Sequence, residues 1–235
     1  MDSAEESSRL MGLRVAALIS GGKDSMLALH HAVWMGHEVS QLVVMLPERP
    51  DSWMFHTPNL HLTRLISEAL EIPLVQAPTS GVKEVEVGDL KRILASLDVD
   101  AVVSGAVASQ YQKSRIDGIC KELGLTHISP LWGREPRSVL RELLDNEFEV
   151  IFVGVYAYGL GREWLGRRLD EDAVGELMEL HEKFGVSPIG EGGEYETLVL
   201  DAPLYRRKIR ILEVKERWMG DSGHLAILKA ELTNK

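Results

Sequence analysis

Cysteine is almost missing from this chain, whose 235 residues include a single one, Cys120. One cysteine excludes a disulfide within the chain, and such sparing use of cysteine is typical of a reducing compartment. We therefore expect a cytoplasmic protein. Cys120 lies in a helical pattern with Ile116, Ile119 and Leu123, which predicts a small core residue and not a reactive thiol.

Basic charge and long apolar runs are also scarce. The chain carries 26 basic and 36 acidic residues, a formal net charge of -10 at pH 7, whereas nucleic-acid binders usually show a basic balance or stripe. No apolar run approaches the roughly 18 residues of a membrane span. Residues 1–10 lack the basic-then-apolar order of a signal peptide. The composition therefore argues against nucleic acid and membrane as partners, and we interpret residues 1–11 as a tail.

Histidine is present, but its spacing is not that of metal ligands. His30 and His31 are adjacent and would point in different directions on a helix. His56 and His61 are not at the i, i+4 spacing that places two ligands on one helix face. Since the chain also has no second cysteine, the sequence predicts no structural zinc site.

What the chain does contain is a polar motif at residues 20–25, Ser-Gly-Gly-Lys-Asp-Ser. It follows an apolar run and precedes a helical pattern, so its N–H groups lie at a helix start, where phosphate binds well. Gly21 and Gly22 can take positive φ and leave room for an anion. Lys23 adds a positive charge, and Asp24 could hold Mg²⁺ against the phosphates. The motif predicts a nucleotide site.

The two serines of the motif, Ser20 and Ser25, supply hydroxyl donors, and either could cap the helix. The motif is not a Walker A loop, because the spacing that a Walker A loop requires before its Gly-Lys-Ser/Thr is absent. The residues resemble instead the SGGxDS loop of the PP-loop ATP pyrophosphatases. Members of that superfamily cleave ATP between the α and β phosphates.

Two further loops come before helical patterns. Residues 105–115 again follow a strand pattern, and there Gly105 permits close backbone approach while Ser109 is a candidate helix cap. Arg115 and Lys113 could reach the phosphates of a nucleotide, and a capped helix with solvated charges is the simpler alternative. Residues 56–59, His-Thr-Pro-Asn, could cover an adenine or simply cap the helix that follows.

The most distinctive stretch is residues 190–197, Gly-Glu-Gly-Gly-Glu-Tyr-Glu-Thr. Carboxylates as close in sequence as Glu191, Glu194 and Glu196 repel one another, and a loop that holds them together needs a compensating cation. In a strand, Glu194 and Glu196 would face the same side, which favours a shared target. The target could be Mg²⁺, a cationic substrate or an amine. A solvated acidic turn is the simpler alternative.

Strand and helix patterns alternate through the first half of the chain. This alternation predicts βαβ units, a parallel sheet, and a ligand at the carboxyl ends of its strands. Strand patterns cover Val15–Ile19, Val39–Leu46, Leu74–Gln76, Ala101–Gly105 and His127–Ser129. Helical patterns cover Lys23–Met35, Leu60–Leu70, Val85–Leu97 and Gln110–Leu123.

The second half mixes helices with strands that suit an antiparallel sheet. Helical patterns cover Arg137–Asn146 and Glu171–Phe184, and strand patterns cover Val150–Tyr156, Leu198–Leu200, Ile209–Val214 and Leu225–Leu232. Residues 220–223, Gly-Asp-Ser-Gly, predict a hairpin turn. We expect an α/β fold with a Rossmann-like (HUP-type) parallel sheet flanked by helices in residues 12–133. A smaller C-terminal α+β domain would occupy residues 134–235.

Several of these segments together resemble the diphthine–ammonia ligases, a branch of the PP-loop (N-type ATP pyrophosphatase) superfamily. The segments are residues 20–25, residues 56–59, residues 105–115 with the later Pro130-Leu131-Trp132, and residues 190–203. The last of them is specific to this family. The resemblance covers residues 12 to about 215, and the chain is similar to the short archaeal form of the family.

This resemblance implies an ATP-dependent amide synthesis. ATP would adenylate the diphthine carboxylate on translation elongation factor 2 and release pyrophosphate. Ammonia would then attack the acyl adenylate to give the amide and AMP. ATP, Mg²⁺, free ammonia and the diphthine-bearing elongation factor are the implied cofactors and partners.

The resemblance and the residue chemistry together predict a set of site residues. The predicted catalytic residues are Lys23, Asp24 and Arg115, with Asp24 also the metal ligand. The predicted nucleotide-binding residues are Ser20, Gly21, Gly22, Lys23, Asp24, Ser25, His56, Gly105, Ser109 and Gln112. The predicted substrate-binding residues are Glu191, Glu194 and Glu196, which could receive a trimethylammonium or ammonium group.

Two other functions stay open. A tRNA-modifying enzyme of the same superfamily would be expected to have a basic surface and often catalytic cysteines. The net charge of -10 and the single Cys120 argue against this function. A non-enzymatic ATP sensor of the universal-stress-protein type would not need the acidic stretch. Strands of the C-terminal domain could also pair across a two-fold axis, which would make the protein a homodimer.

Overall fold

A parallel sheet holds the first half of the chain together. The computed structural model describes residues 12–47, 59–80, 82 and 85–235. The sheet consists of β1 (Arg14–Leu18), β2 (Glu38–Pro47), β3 (Leu74–Thr79), β4 (Ala101–Val103) and β5 (Thr126–Ile128). Its order is β3-β2-β1-β4-β5, and each neighbouring pair is parallel. The direction of winding changes between β1 and β4, and ligands bind at that point in open α/β sheets.

Helices cover both faces of this sheet, as predicted. They are α1 (Lys23–Trp34), α2 (Thr63–Leu70), α3 (Val85–Leu94) and α4 (Gln110–Leu123). Successive strand residues enter different apolar clusters: Val15 and Ala17 belong to one, and Ala16 to the other. Because side chains alternate across a strand, a sheet buried on both faces has strands that read as continuous apolar runs.

An antiparallel sheet forms the second half. Two more helices, α5 (Pro136–Asp145) and α6 (Glu171–Phe184), accompany β6 (Glu149–Val155), β7 (Tyr195–Asp201), β8 (Lys208–Trp218) and β9 (Gly223–Thr233). The order is β7-β6-β9-β8, with antiparallel neighbours. The predicted hairpin turn joins β8 and β9, and Met219 N donates to the Ser222 carbonyl at 2.8 Å. The fold class is therefore the predicted one.

A single apolar cluster runs through both halves. It contains Val15 and Leu27 from the first half and Phe152, Leu198 and Ile227 from the second. The sheet type changes between Ile128 and Glu149, and the domain boundary at residues 133–134 stays a prediction. The continuous cluster means that the two halves bury apolar surface against each other, which sets their loops in a fixed relation.

Strand ends are where the structure departs most from the sequence patterns. The predicted strand at residues 198–200 is in fact β7, which begins at Tyr195 because it pairs with β6 as far as Val155. β8 extends beyond the predicted 209–214 to Trp218, although its residues 212–217 are exposed and six of its eleven residues are charged. Pairing with β9, and not an apolar alternation, determines its length.

Asn59 connects the first half of the chain to strand β9. Its side-chain amide donates to the Leu225 carbonyl at 2.9 Å and its Oδ1 accepts from Ile227 N at 2.8 Å. Asn59 precedes a 3-10 turn at Leu60–Leu62, has a left-handed φ of 63° and makes no side-chain capping bond. The helix-cap interpretation of Asn59 is therefore wrong. His56 and the rest of residues 56–58 lie outside the described residues, so the predicted adenine cover stays a prediction.

Replacing Asn59 with alanine should destabilise the protein by about 2–4 kcal/mol. The Ile227 N–H loses its buried acceptor, which costs about 1–3 kcal/mol, and alanine at the positive φ costs about 1 kcal/mol more. The matched control is Asn59→Gly, which loses the same two bonds without the φ penalty. Chemical unfolding should rank wild type, glycine variant and alanine variant in falling order. Equal stability of the three proteins would contradict the interpretation.

Cys120 is a core residue, as predicted, with 1% of its surface exposed. Burial raises the pKa of its thiol to about 11, so the thiol is protonated at neutral pH and is a poor nucleophile. None of the helices in the described ranges has the length and apolar character needed to cross a membrane.

Candidate active site

A cavity lies where the carboxyl ends of β1 and β4 meet the segment that leads into β7. Three polar loops and an apolar wall surround it. The loop after β1 contributes Ser20, Gly22, Lys23, Asp24 and Ser25; β4 and its loop contribute Ser104, Gly105 and Ala106; helix α4 contributes Gln112. The C-terminal segment contributes Gly190, Glu191, Tyr195, Glu196 and Thr197. The apolar wall contains Leu18, Ile19, Val43, Met45, Leu60, Ile116 and Val153.

The two serines of the loop at residues 20–25 hydrogen-bond within the loop. Ser20 N donates to Ser25 Oγ at 3.2 Å, and Ser25 Oγ donates to the Gly22 carbonyl at 3.0 Å. Gly22 occupies the N-cap position of α1 and has no side-chain cap, so the cap role predicted for the serines is wrong. Gly22 N donates to Ser20 Oγ at 3.3 Å. Gly21 turns the chain with a φ of 86° and is the one residue of the motif that does not line the cavity.

The same loop is bonded to strand β7 through its backbone. Lys23 N donates to Thr197 Oγ1 at 3.1 Å, and Val199 N donates to the Gly21 carbonyl at 2.9 Å. A side-chain oxygen thus satisfies one of the free N–H groups at the start of α1. The first-half loop and the C-terminal segment are therefore one hydrogen-bonded unit.

Lys23 is buried, with 3% of its surface exposed. Its ammonium donates to Asp24 Oδ2 at 2.9 Å and to the Ile189 carbonyl at 2.5 Å. It also lies 4.9 Å from the centre of the Tyr195 ring. Lys23 thus contacts both predicted motifs at once, and its positive charge remains at the wall of the cavity.

Asp24 presents the group best suited to a cation. Oδ2 is bonded to Lys23, while Oδ1 is buried and accepts no hydrogen bond from any described residue. Burial raises the pKa of Asp24 more than Lys23 lowers it, and the nearby Glu191 raises it further. Among the described residues, no three His, Cys, Asp or Glu side chains group as a metal cage. Asp24 Oδ1 therefore fits Mg²⁺ as a single carboxylate ligand, the arrangement in which phosphates complete the coordination.

Gly105 lies directly against the loop at residues 20–25. A Cβ added to Gly105 would be 2.6 Å from the Asp24 carbonyl carbon and 2.6 Å from Ser25 N. Such contacts are with backbone, which cannot move aside as a side-chain tip can. The close approach expected at Gly105 is therefore present, and its partner is the peptide between Asp24 and Ser25.

Glu191 binds the backbone of the loop after β4. Its two carboxylate oxygens accept from Val107 N, at 2.8 Å, and from Ala108 N. A carboxylate on two backbone N–H groups is a charge-assisted bidentate contact, among the stronger hydrogen bonds in proteins. Backbone N–H groups therefore compensate part of its charge. Glu191 also lines the cavity, and its predicted contact with a cation stays a prediction.

Glu194 and Glu196 do not face a shared target. Glu194 lies in the turn before β7, where its Oε1 accepts from Ser187 N at 3.3 Å, and it does not line the cavity. Glu196 lines the cavity and accepts a hydrogen bond from the Tyr156 hydroxyl. Glu194 and Glu196 would face the same side only if one strand contained both, but β7 begins between them at Tyr195.

Three predicted residues lie on or before α4. Ser109 is its N-cap, and Ser109 Oγ accepts from Gln112 N at 3.3 Å. Gln112 lines the cavity. The Arg115 guanidinium stacks on the Tyr111 ring, 4.0 Å from its centre, and Arg115 is not among the residues that line the cavity. Its proposed contact with phosphates stays a prediction.

Family models divide the chain in a similar way to the two sheets. Residues 13–127 match the model described as the diphthamide synthase N-terminal domain, and residues 135–233 match the diphthamide synthase C-terminal domain. The chain belongs to the diphthamide synthase family. The cavity lies where the regions matched by the two models of this family meet, since residues of both line it.

Curated relatives in the diphthamide synthase family are named diphthine–ammonia ligase. The protein of Schizosaccharomyces pombe is 36% identical over 239 residues, which cover 93% of this chain and 39% of the relative. The Homo sapiens protein is 36% identical over 220 residues, 84% of this chain and 82% of the relative. The chain thus spans less than half of the yeast relative and most of the human one.

A solved structure titled as a predicted subunit of tRNA methyltransferase from Methanocaldococcus jannaschii aligns more weakly. Its TM-score is 0.44 at 17% identity, over 82% of this chain and 98% of that chain. A likeness at that level decides nothing about what this diphthamide synthase family member does.

Sequence reasoning missed several residues of the cavity in this diphthamide synthase family member. Tyr195 donates its hydroxyl to the Pro188 carbonyl at 2.6 Å and lies under the Lys23 ammonium, and Thr197 accepts from Lys23 N. Both lie in the acidic stretch at residues 190–197, where the sequence predicted roles only for the carboxylates. Ser104 lines the cavity beside Gly105, and nothing in its sequence position marked it.

Proposed function

We propose that the chain is the ligase that amidates the diphthine carboxylate of translation elongation factor 2, using ATP and ammonia. Membership of the diphthamide synthase family, with relatives named diphthine–ammonia ligase, supports a C–N bond-forming ligase that uses ATP. The observation that carries the proposal is the meeting of residues 20–25 and 190–197 at one cavity. The loop at residues 20–25 resembles a nucleotide loop, and residues 190–197 resemble a segment specific to this family. Both line the same cavity.

The proposed reaction has two steps with a defined balance. A carboxylate oxygen of diphthine attacks the α phosphorus of ATP, the bond from that phosphorus to the β-phosphate oxygen breaks, and pyrophosphate leaves. Ammonia then attacks the carbonyl carbon, the carbon–oxygen bond to AMP breaks, and one proton leaves the nitrogen. The protein's task is to orient these groups and offset phosphate charge.

Each wall of the cavity suits one part of the substrates. The apolar side chains of Val43, Met45 and Ile116 suit an adenine ring. The loop at residues 20–25 and the start of α1 suit the phosphates. Mg²⁺, when bound by Asp24 Oδ1, would supply positive charge to the leaving pyrophosphate.

The experiment combines the chain, ATP, an ammonium salt and diphthine-bearing elongation factor 2. We expect AMP and pyrophosphate release that depends on the elongation factor, together with the small mass decrease of a carboxylate converted to an amide. Unmodified tRNA replaces the elongation factor in a parallel reaction, which tests the tRNA-modifying alternative. Release of ADP, or no turnover with the elongation factor, would refute the proposal.

Glu196 is the carboxylate of the acidic stretch that we assign to the cationic substrate. It faces the cavity, and the Tyr156 hydroxyl orients it. Replacing Glu196 with glutamine removes the charge and should raise KM for the elongation factor about tenfold, equivalent to about 1.4 kcal/mol, with ATP affinity unchanged. Glu194→Gln is the matched control, because Glu194 faces Ser187 and not the cavity.

Steady-state kinetics with each substrate varied in turn measure the two variants. An unchanged KM for the elongation factor in Glu196→Gln would rule out this assignment of Glu196. So would an equal rise in both variants, since that would point to a general disturbance of the acidic stretch.

A further inference from the structure

A buried Ser–His–Asp arrangement lies beside the cavity and has no role in the function proposed so far. His127 in β5 has a side chain that is 4% exposed. Its Nδ1 lies 2.6 Å from Asp117 Oδ1, and its Nε2 lies 2.8 Å from Ser104 Oγ. Ser129 Oγ lies 3.0 Å from the same Nε2. The residue after β4, strand β5 and helix α4 therefore meet at one imidazole.

The partners determine the protonation of His127. A carboxylate only accepts, so Nδ1 carries the proton and donates to Asp117, and Nε2 is left to accept from a hydroxyl. Burial lowers the pKa of His127 more than Asp117 raises it, so the ring is neutral at pH 7. Lys113, the other charged group near the ring, donates to Asp117 Oδ2 at 2.7 Å. A neutral imidazole whose Nε2 carries no proton can act as a base.

Ser104 joins this base to the cavity. Ser104 is one of the lining residues, whereas Ser129 and His127 are not. Its neighbour Gly105 packs on the peptide between Asp24 and Ser25, which places Ser104 close to the nucleotide loop. Asp117, at the other end, has a side chain that is 42% exposed. The arrangement thus runs from the cavity through a buried ring to solvent.

We propose that Ser104, His127 and Asp117 form a relay that removes the proton from nitrogen during amide formation. This inference rests on the proposed function. After ammonia attacks the carbonyl carbon, the positively charged nitrogen gives a proton to Ser104 Oγ, which passes its own proton to His127 Nε2. Asp117 stabilises the resulting imidazolium at Nδ1–H. The AMP oxygen leaves with the electrons of the carbon–oxygen bond, and the imidazolium proton then leaves to solvent.

The test compares two serines that contact the same nitrogen. Ser104→Ala and Ser129→Ala each remove one hydroxyl from His127 Nε2, but only Ser104 faces the cavity. Each variant is assayed at neutral pH with ammonia and with hydroxylamine as nucleophile. The nitrogen of hydroxylamine is much less basic, so its adduct loses the proton to water without help. General-base catalysis contributes about 10²-fold or more, so Ser104→Ala should lose about 10²-fold with ammonia.

The same variant should lose little with hydroxylamine, and Ser129→Ala should resemble wild type with both nucleophiles. His127→Gln should reproduce the ammonia-selective loss. For Ser104→Ala, the loss should shrink as pH rises, because hydroxide replaces the relay. Equal losses in the two serine variants, or equal losses with the two nucleophiles, would overturn the relay and leave a structural role.

ATP–pyrophosphate exchange separates this inference from the proposed function. Exchange reports the adenylation step, which precedes the relay, so Ser104→Ala should retain exchange at the wild-type rate. Loss of exchange in that variant would overturn the relay alone. Absence of exchange in the wild-type chain with diphthine-bearing elongation factor would overturn the proposed function and the relay with it.

Discussion

Replacing Gly105 with alanine should abolish most of the activity while leaving a folded protein. The new methyl group would lie 2.6 Å from two backbone atoms of the Asp24–Ser25 peptide, so the loop at residues 20–25 must move. Overpacking of this kind costs about 1–3 kcal/mol. A displacement of about 1 Å at a reacting centre can cost about 10²-fold in rate. We therefore expect about a 10²-fold loss in ATP-dependent turnover, with a modest fall in stability.

Gly118→Ala is the control for the same chemical change elsewhere. Gly118 lies in α4, and nothing stands within 4 Å of the Cβ it would gain. Alanine in a helix interior is about 0.5–1 kcal/mol better than glycine, so this variant should be slightly stabilised and fully active. Chemical unfolding and pyrophosphate release measure both effects. Full activity in Gly105→Ala would show that the loop tolerates displacement and would refute the close-approach argument.

Replacing Lys23 with methionine should cause a substantial, pH-dependent loss of stability. The change leaves the Ile189 carbonyl and the Asp24 carboxylate without the ammonium that both now contact. Removing one partner of a buried pair costs about 3–5 kcal/mol. Because the Asp24 side chain is 26% exposed, water recovers part of this, and we expect about 2–3 kcal/mol.

The loss of stability in Lys23→Met should also depend on pH. Asp24 already has a raised pKa because burial outweighs the effect of Lys23, and without Lys23 that pKa rises further. A carboxyl with a raised pKa in the folded state binds protons more tightly there than in the unfolded state. Stability therefore falls as pH rises above the ordinary value of about 4 and until it passes the raised pKa. Chemical unfolding at about pH 5 and about pH 8 should show that the variant's free energy of unfolding falls further below that of the wild type at the higher pH.

A double variant supplies the control. Lys23→Met with Asp24→Asn removes both charges, so it should be more stable than Lys23→Met alone and less dependent on pH. Asp24→Asn alone completes the double-mutant cycle, which gives the coupling free energy between the two residues. If the loss of stability in Lys23→Met is independent of pH and unchanged by Asp24→Asn, Lys23 stabilises the fold through the Ile189 carbonyl and not through Asp24.

The sequence predicted most elements of the fold, for local reasons. β1 and α1 were placed within about one or two residues because an apolar run, a glycine turn and a helical pattern follow one another. The helix Glu171–Phe184 has its predicted bounds, because Asp170 caps its start and Gly185 ends it with a φ of 71°. The start of β7 and the end of β8 were missed, since a neighbouring strand determines both.

The candidate site was predicted in outline, but the hydrogen bonds of its residues were not. Residues 20–25 and 190–197 do meet at one cavity. Glu191 was predicted to bind a cation, and the structure adds that its oxygens accept from Val107 N and Ala108 N. Lys23 was predicted to contact phosphate, which stays a prediction, and its ammonium donates to Asp24 and to Ile189, far away in sequence. Hydrogen-bond partners across such separations leave no local pattern to find.

The sequence by itself determined the chemistry available to this protein: a phosphate-type loop at a helix start, an acidic glycine-rich stretch, and the parallel sheet that carries the first of them. Those features depend on neighbours in the chain, such as the conformational freedom of Gly21 and the alternation of strand and helix patterns. Only the tertiary structure decided that Glu196 faces the cavity while Glu194 does not, and which groups accept hydrogen bonds from Lys23. It also decided that Ser104 contacts both His127 and the cavity. Each of these depends on how two elements pack, and packing across long sequence separations is set by burial and hydrogen bonding in three dimensions.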